Sequence, residues 1–315
     1  MTRTTTASPI IKMSSPFRES LDAILLACFG WFLYCVCDAI SKWLAMGYSA
    51  YEILSVSSLT GLILCSVWIY FHHGWQGFNT KKLPWYIGRG IAQTGSSFLV
   101  IKSLAHIPMA DFYGIIFLTP MVTTLLATVF LQEKIGMYRI AAIAVGFIGV
   151  LIIAGPSFAS HNIGYLYALL AVGFASVGAI CVRKIGRETI PVRYAFFPFL
   201  ICTIIFLPLA LYEGMEMPTN VLDASLMILY APIALIGILT YSTGFSRARD
   251  TAMIAPFHYT QMIWGVMFGY VIFGDVPPMT TFFGALLIIA AGLMVLWREH
   301  LLHKNIAARA QKTPI

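Results

Sequence analysis

The chain has 315 residues, 59% of them hydrophobic and only 10% charged, with a mean hydropathy of +0.82. A water-soluble domain carries about 25% charged residues and a disordered chain has low hydrophobicity, so both are excluded and the bilayer is the expected solvent. The net charge of +7 is spread over loops and tails rather than gathered in a patch, which argues for membrane topology and against a nucleic-acid partner. Residues 1–20 are rich in Ser and Thr and lack the apolar core and cleavage site of a signal peptide. Ten apolar runs follow, at 22–44, 50–71, 84–105, 109–131, 137–154, 161–182, 192–212, 224–245, 252–273 and 279–297. Each is close to the roughly 20 residues that cross a bilayer as a helix. The runs are continuous rather than alternating, so they are helices and not barrel strands. Their short connections hold no soluble domain, and the chain has no GxxxxGK[ST] sequence, so it carries no ATPase motor.

Basic residues set the orientation. With the amino terminus in the cytoplasm, eighteen of the twenty Lys and Arg fall in inward tails and connections or at their edges. The other two, Lys42 and Lys102, lie near the outer ends of their spans, where the connections carry Glu213, Glu216, Asp223 and Asp275. The expectation is a multi-pass protein of the cytoplasmic (inner) membrane with both termini in the cytoplasm, residues 1–20 and 299–315 being the two tails.

Half of the chain resembles the other half. With Ala110 placed on Ala252, Glu133 falls on Asp275, and both segments read as an apolar span, an acidic residue and a Gly-rich span. Five spans per half is an odd number, so the second half enters the membrane inverted, and such repeats place a substrate near the midplane between them. The fold class expected is an all-α polytopic membrane protein of ten transmembrane helices in two inverted five-helix repeats, 21–155 and 156–298.

The strings LQEKIGMYRIAAIAVGFIGVLIIAGP (131–156) and FGDVPPMTTFFGALLIIAAGLMVLWRE (273–299) resemble the EamA domains of the drug/metabolite transporter superfamily. DAISKWLA (38–45), AHIPMADFYGIIFLTP (105–120) and APFHYTQMIWG (255–265) are similar to a bacterial branch of S-adenosylmethionine-uptake-like permeases. Where that branch commonly has an acidic residue, this chain has His258. The resemblance implies a transporter whose spans 1, 3, 4, 6, 8 and 9 line a central cavity.

Polar residues inside spans are costly and mark cavities or partners. Tyr34 and Asp38 share a face of span 1 with Lys42, four residues beyond Asp38. Arg89, Gln93 and Ser97 form a stripe in span 3, and His258, Gln261 and Gly265 another in span 9. With the aromatic residues Tyr113, Phe117, Tyr241 and Trp264, the substrate-binding candidates are Tyr34, Asp38, Arg89, Gln93, Tyr113, Phe117, Tyr241, His258, Gln261 and Trp264. Asp38, Lys42, Lys102 and Asp111 all map to the outer side and sum to zero charge. They are expected to act as a gate, pairing with one another when the cavity faces inward, or to pair permanently and fix helix packing. The six cysteines lie in apolar runs and read as small core residues. No catalytic, metal or cofactor motif stands out. The expected function is a secondary-active permease of a small organic metabolite, amino-acid-derived or nucleoside-like, such as S-adenosylmethionine. The alternatives are a drug/metabolite or amino-acid exporter of the same fold, then a channel or a membrane scaffold. The expected partners are that substrate and the lipid bilayer, with spans 5 and 10 peripheral and available for a homodimer contact.

Overall fold

The computed structural model describes residues 16–132, 137–158, 162–186, 190–215, 218, 220–247 and 255–294, and every element among them is helical. In chain order the helices are α1 (Pro16–Leu44), α2 (Ala50–His73), α3 (Leu83–Leu104), α4 (Met109–Ile116), α5 (Thr119–Leu131), α6 (Met137–Phe158), α7 (Ile163–Ile185), α8 (Arg193–Tyr212), α9 (Val221–Arg247) and α10 (Thr260–Phe273), then α11 (Met279–Met294). They occupy all ten apolar runs. Among the described residues, six stretches are long and apolar enough to cross a membrane: Leu21–Leu44, Ala50–His73, Met109–Phe130, Ile163–Ile185, Arg193–Tyr212 and Val221–Gly244. Helix α3 has the length, but its polar residues, Arg89, Gln93, Ser97 and Lys102 among them, keep its hydropathy lower. Residues 16–20, within the tail expected at 1–20, belong to α1. The tail expected at 299–315, and Glu133 of the repeat comparison, lie outside the described residues.

The fourth span is interrupted, and the ninth changes helix type at a matching place. The fourth is α4 and α5, broken at Phe117–Leu118. Pro120 has no N–H to offer the Ile116 carbonyl four residues back, and the Thr119 hydroxyl donates to that carbonyl instead, at 2.6 Å. The ninth opens as a 3-10 turn, Ala255–Tyr259, before α10. The helices that follow the breaks start 141 residues apart, at Thr119 and Thr260, within one residue of the offset of 142 that sets Ala110 on Ala252. Phe117 and Tyr259, themselves a matched pair, meet edge to face with ring centroids 5.0 Å apart. The two halves thus touch through equivalent residues.

A close helix approach at glycines joins the halves along α1 and α9. A Cβ on Gly30 would lie 2.8 Å from the Gly237 carbonyl oxygen and 2.8 Å from the Tyr241 backbone nitrogen, and one on Gly244 would lie 2.7 Å from the Ala23 carbonyl oxygen. Small residues permit this contact, which replaces hydrophobic burial as the source of association in lipid. The clashing atoms are backbone and cannot rotate away. Gly30→Leu is therefore expected to cost about 3 kcal/mol, read as a lower melting temperature and loss of a monodisperse peak in detergent. A leucine variant that melts with the parent would contradict the close approach.

The two membrane ends are fastened by different chemistry. At the end carrying the α1–α2 connection, carboxylates bind across helices. Asp223 accepts from Trp43 Nε1 at 3.0 Å and from the Tyr48 hydroxyl at 3.1 Å. At the opposite end, cations bind carbonyls. Arg193 donates to the carbonyls of Gly77 and Asn79 at 2.8 and 2.9 Å, and Lys82 donates to the Ile185 carbonyl at the C-terminus of α7. Basic residues there act as staples, since helix C-termini favour cations.

Candidate functional site

A cavity of about 240 Å³ lies between α1, α3, α8 and α9. Its polar lining includes Tyr34, Asp38, Arg89, Gln93, Ser97, Tyr194 and Tyr230, and its apolar wall includes Val100, Phe199, Leu235 and Ile238. The expected stripe of Arg89, Gln93 and Ser97, one residue every helical turn of α3, faces this space as a unit, and Gln93 Nε2 lies 3.4 Å from the Ser97 hydroxyl.

Local chain chemistry places the two charges. Asp38 sits in the last third of α1 and accepts a hydrogen bond from the Tyr113 hydroxyl at 2.6 Å. Tyr113 reaches it because its ring lies on the bare backbone of Gly265, where a Cβ would fall 2.1 Å from the ring. Arg89 is held by α8. Pro198 lacks the N–H that would bind the Tyr194 carbonyl four residues earlier, and Arg89 Nε donates to that freed oxygen at 3.1 Å. The guanidinium carbon also lies 5.4 Å from the Tyr194 ring centroid, a cation–π contact.

Four of the ten candidate binding residues, Tyr34, Asp38, Arg89 and Gln93, line this cavity, and the other six do not. Tyr113 and Phe117 are buried behind it. Tyr241 and His258 flank Trp31 of α1, with ring centroids at 5.7 and 5.2 Å, and Phe117 lies 5.8 Å from His258. Trp264 packs edge-on against Phe32 at 5.0 Å, and the buried Gln261 presents its backbone carbonyl to the Cys35 thiol at 3.8 Å. These six form a second layer around α1, aromatic apart from Gln261. The set of lining spans is corrected accordingly. Spans 1, 3, 7 and 8 line this cavity, in place of the expected 1, 3, 4, 6, 8 and 9. Span 7 was not anticipated because RYAFFPFLICTIIFLPLALY shows no polar stripe; its signal was Pro198.

The expected mutual pairing of Asp38, Lys42, Lys102 and Asp111 is also corrected. Lys42 leaves Asp38 for Asp275, 2.5 Å away in the α10–α11 connection, and also donates to the Ile107 carbonyl at 3.2 Å. Asp275 accepts from the Met109 backbone as well, at 3.4 Å. Asp111 is buried and accepts from the Tyr165 hydroxyl at 2.5 Å and from the Thr281 hydroxyl. Lys102 stands over the Phe98 and Tyr51 rings at 5.7 and 6.0 Å. The physical reason is direction. Neighbours on one helix compete with partners on facing helices, and the facing groups sit closer. No group of three or more His, Cys, Asp or Glu suited to a metal occurs among the described residues.

Ten apolar spans, matched changes of helix type in the fourth and ninth, and a cavity between spans of both halves fit a helical membrane protein of transporter architecture. The model of the EamA-like transporter family matches residues 21–155 and again residues 162–297. The chain belongs to that family. It is 24% identical to the pseudopaline exporter CntI of Pseudomonas aeruginosa over 273 residues, 86% of this chain and 94% of the relative. It is 27% identical to the S-adenosylmethionine uptake transporter of Rickettsia bellii over 276 residues, 86% and 93% of the two chains. It is 26% identical to the riboflavin transporter of Vibrio cholerae over 220 residues, 68% and 72%. A solved crystal structure superposes with a TM-score of 0.59 at 17% identity, covering 91% of this chain and 99% of the other, which bears on the fold alone.

Proposed function

We propose that this chain is a secondary-active carrier of the cytoplasmic membrane that moves a small organic metabolite by alternating access through the cavity between α1, α3, α8 and α9. The observation that carries the reading is that cavity, which gathers Tyr34, Asp38, Arg89 and Gln93 from two spans of one repeat and closes them with two spans of the other. The chain has no motor, so a gradient or exchange supplies the energy. Tyr34, Asp38, Arg89 and Gln93 contact the substrate. Tyr113, Phe117, Tyr241, His258, Gln261 and Trp264 support α1 from behind and come into contact only as it shifts. The bias of basic residues supports cytoplasmic termini, which makes the α1–α2 end the outer one. There Lys42 with Asp275 is the closing pair, joining the first repeat to the second, while Asp111 and Lys102 hold helices in place. The outer apolar faces of α6 and α11 are available to lipid or to a second copy.

Amino-acid-derived or nucleoside-like compounds suit a cavity with flanking tyrosines and balanced charge, and relatives named for S-adenosylmethionine and riboflavin support that range. The pseudopaline exporter among the relatives supports a second reading, outward transport by the same architecture. The test is a thermal-shift screen of the purified full chain against a metabolite library. A ligand at one hundred times its Kd stabilises the native state by about 2.7 kcal/mol, so a substrate raises the melting temperature by several degrees. If no small molecule shifts the melt and none is taken up saturably by proteoliposomes, the carrier reading fails.

A further inference from the structure

Two formal charges line the cavity, and neither has an ionic partner among the described residues. Asp38 accepts from Tyr113 alone, and Arg89 has only the Tyr194 carbonyl and ring. They do not neutralise each other, because they occupy opposite ends of the space. Asp38 is about six residues from the C-terminus of α1, at the α1–α2 end, whereas the Arg89 guanidinium is seated on the first turn of α8, at the other end. Asp38 lies six residues from the C-terminus of α1 and Arg89 fifteen from that of α3, and at a rise of 1.5 Å per residue that difference of nine sets the two residues about 14 Å apart along the helices. Between them stand uncharged side chains only: Tyr34, Gln93, Ser97 and Tyr230 on the polar side, Phe199 and Ile238 on the apolar side.

Resting on the carrier reading above, we infer that the cavity takes an elongated dipolar organic molecule. Its cationic group faces Asp38, its anionic group faces Arg89, and an uncharged body lies against the tyrosines. A partly dry charge is costly until it is paired. A purely cationic ligand would leave Arg89 unpaired and repelling it, and a purely anionic one would do the same with Asp38. A compact α-amino acid, with both charges on one carbon, answers one end and not the other. A molecule with its charges set apart answers both, and the mismatched alternatives are rejected by the end they leave unpaired.

The experiment uses the full chain in detergent and a panel sorted by charge: 6-aminohexanoate, 8-aminooctanoate and triglycine as separated dipoles, glycine and alanine as compact ones, hexanoate and hexylamine as single charges, and the amides and N-acetyl derivatives of each dipole. Separated dipoles are expected to raise the melting temperature more than any other class. Converting the carboxylate to an amide should weaken apparent binding about tenfold or more, the usual weight of a charge-assisted contact. In Arg89→Gln that acid-to-amide ratio should fall to about one while the amine-to-N-acetyl ratio persists, and Asp38→Asn should show the reverse. The ligand-side ratios in the unmodified chain test the idea even if a variant does not fold, and Arg89→Lys, which keeps the charge, should keep the ratio. Preference for compact, singly charged or neutral ligands overturns the dipole inference and leaves the carrier reading standing. Absence of binding across this panel and the metabolite library removes both.

Discussion

Replacing Asp111 with alanine is expected to lower stability by about 2–4 kcal/mol. Its carboxylate is buried and accepts from Tyr165 of α7 and Thr281 of α11, so one side chain of α4 ties three helices drawn from both repeats. Alanine would take from both hydroxyls the acceptor that Asp111 supplies, in a place where water is scarce. Asparagine keeps one carbonyl oxygen and should cost less than half as much. Thermal melts of the purified variants measure this. Adding Tyr165→Phe and Thr281→Val to the alanine variant should recover part of the loss, because it removes the groups left unpaired. Alanine and asparagine variants that melt alike would show that the carboxylate is not the tie described.

The second large effect concerns transport. Lys42→Asp is expected to reduce uptake into proteoliposomes by more than tenfold, because it sets two carboxylates where Lys42 and Asp275 now meet at 2.5 Å. Stability should fall less, by about 1–2 kcal/mol, since both side chains are partly exposed, at 13% and 21%, and solvent screens them. The double variant Lys42→Asp with Asp275→Lys should regain part of the uptake and not all of it. Lys42 also donates to the Ile107 carbonyl and stands 5.1 Å from the centroid of the Phe273 ring, and an aspartate can do neither. If Lys42→Asp transports at the parent rate, the pair is not a closing contact.

Much of the fold was legible because the bilayer imposes a length on every span. Ten runs of apolar residues became ten helical spans, and the odd number per half implied the inverted repeat. The stripe of Arg89, Gln93 and Ser97 was legible for a related reason, since polar residues one turn apart in a membrane helix must share a face. The partners were not legible. Lys42 and Asp38 are four residues apart, but the ion pair that forms joins Lys42 to a residue 233 positions away. Helical spacing names neighbours on one helix and is silent about the facing one. The same limit hid the role of α8, whose contribution at Tyr194 is a backbone oxygen released by a proline together with the ring beside it.

That released oxygen separates two properties usually bound together. Because one of the two anchors for Arg89 is main chain, a change of side chain at 194 gives up the ring contact but leaves the carbonyl that holds the guanidinium, so long as an imino acid stays at 198. The lining of the cavity can then drift, residue by residue, to admit a differently shaped cargo while the positive pole keeps its post. A family that handles chemically diverse molecules on one scaffold gains from such an arrangement. The electrostatic reference point is fixed by backbone geometry, and the side chains around it are left free to vary.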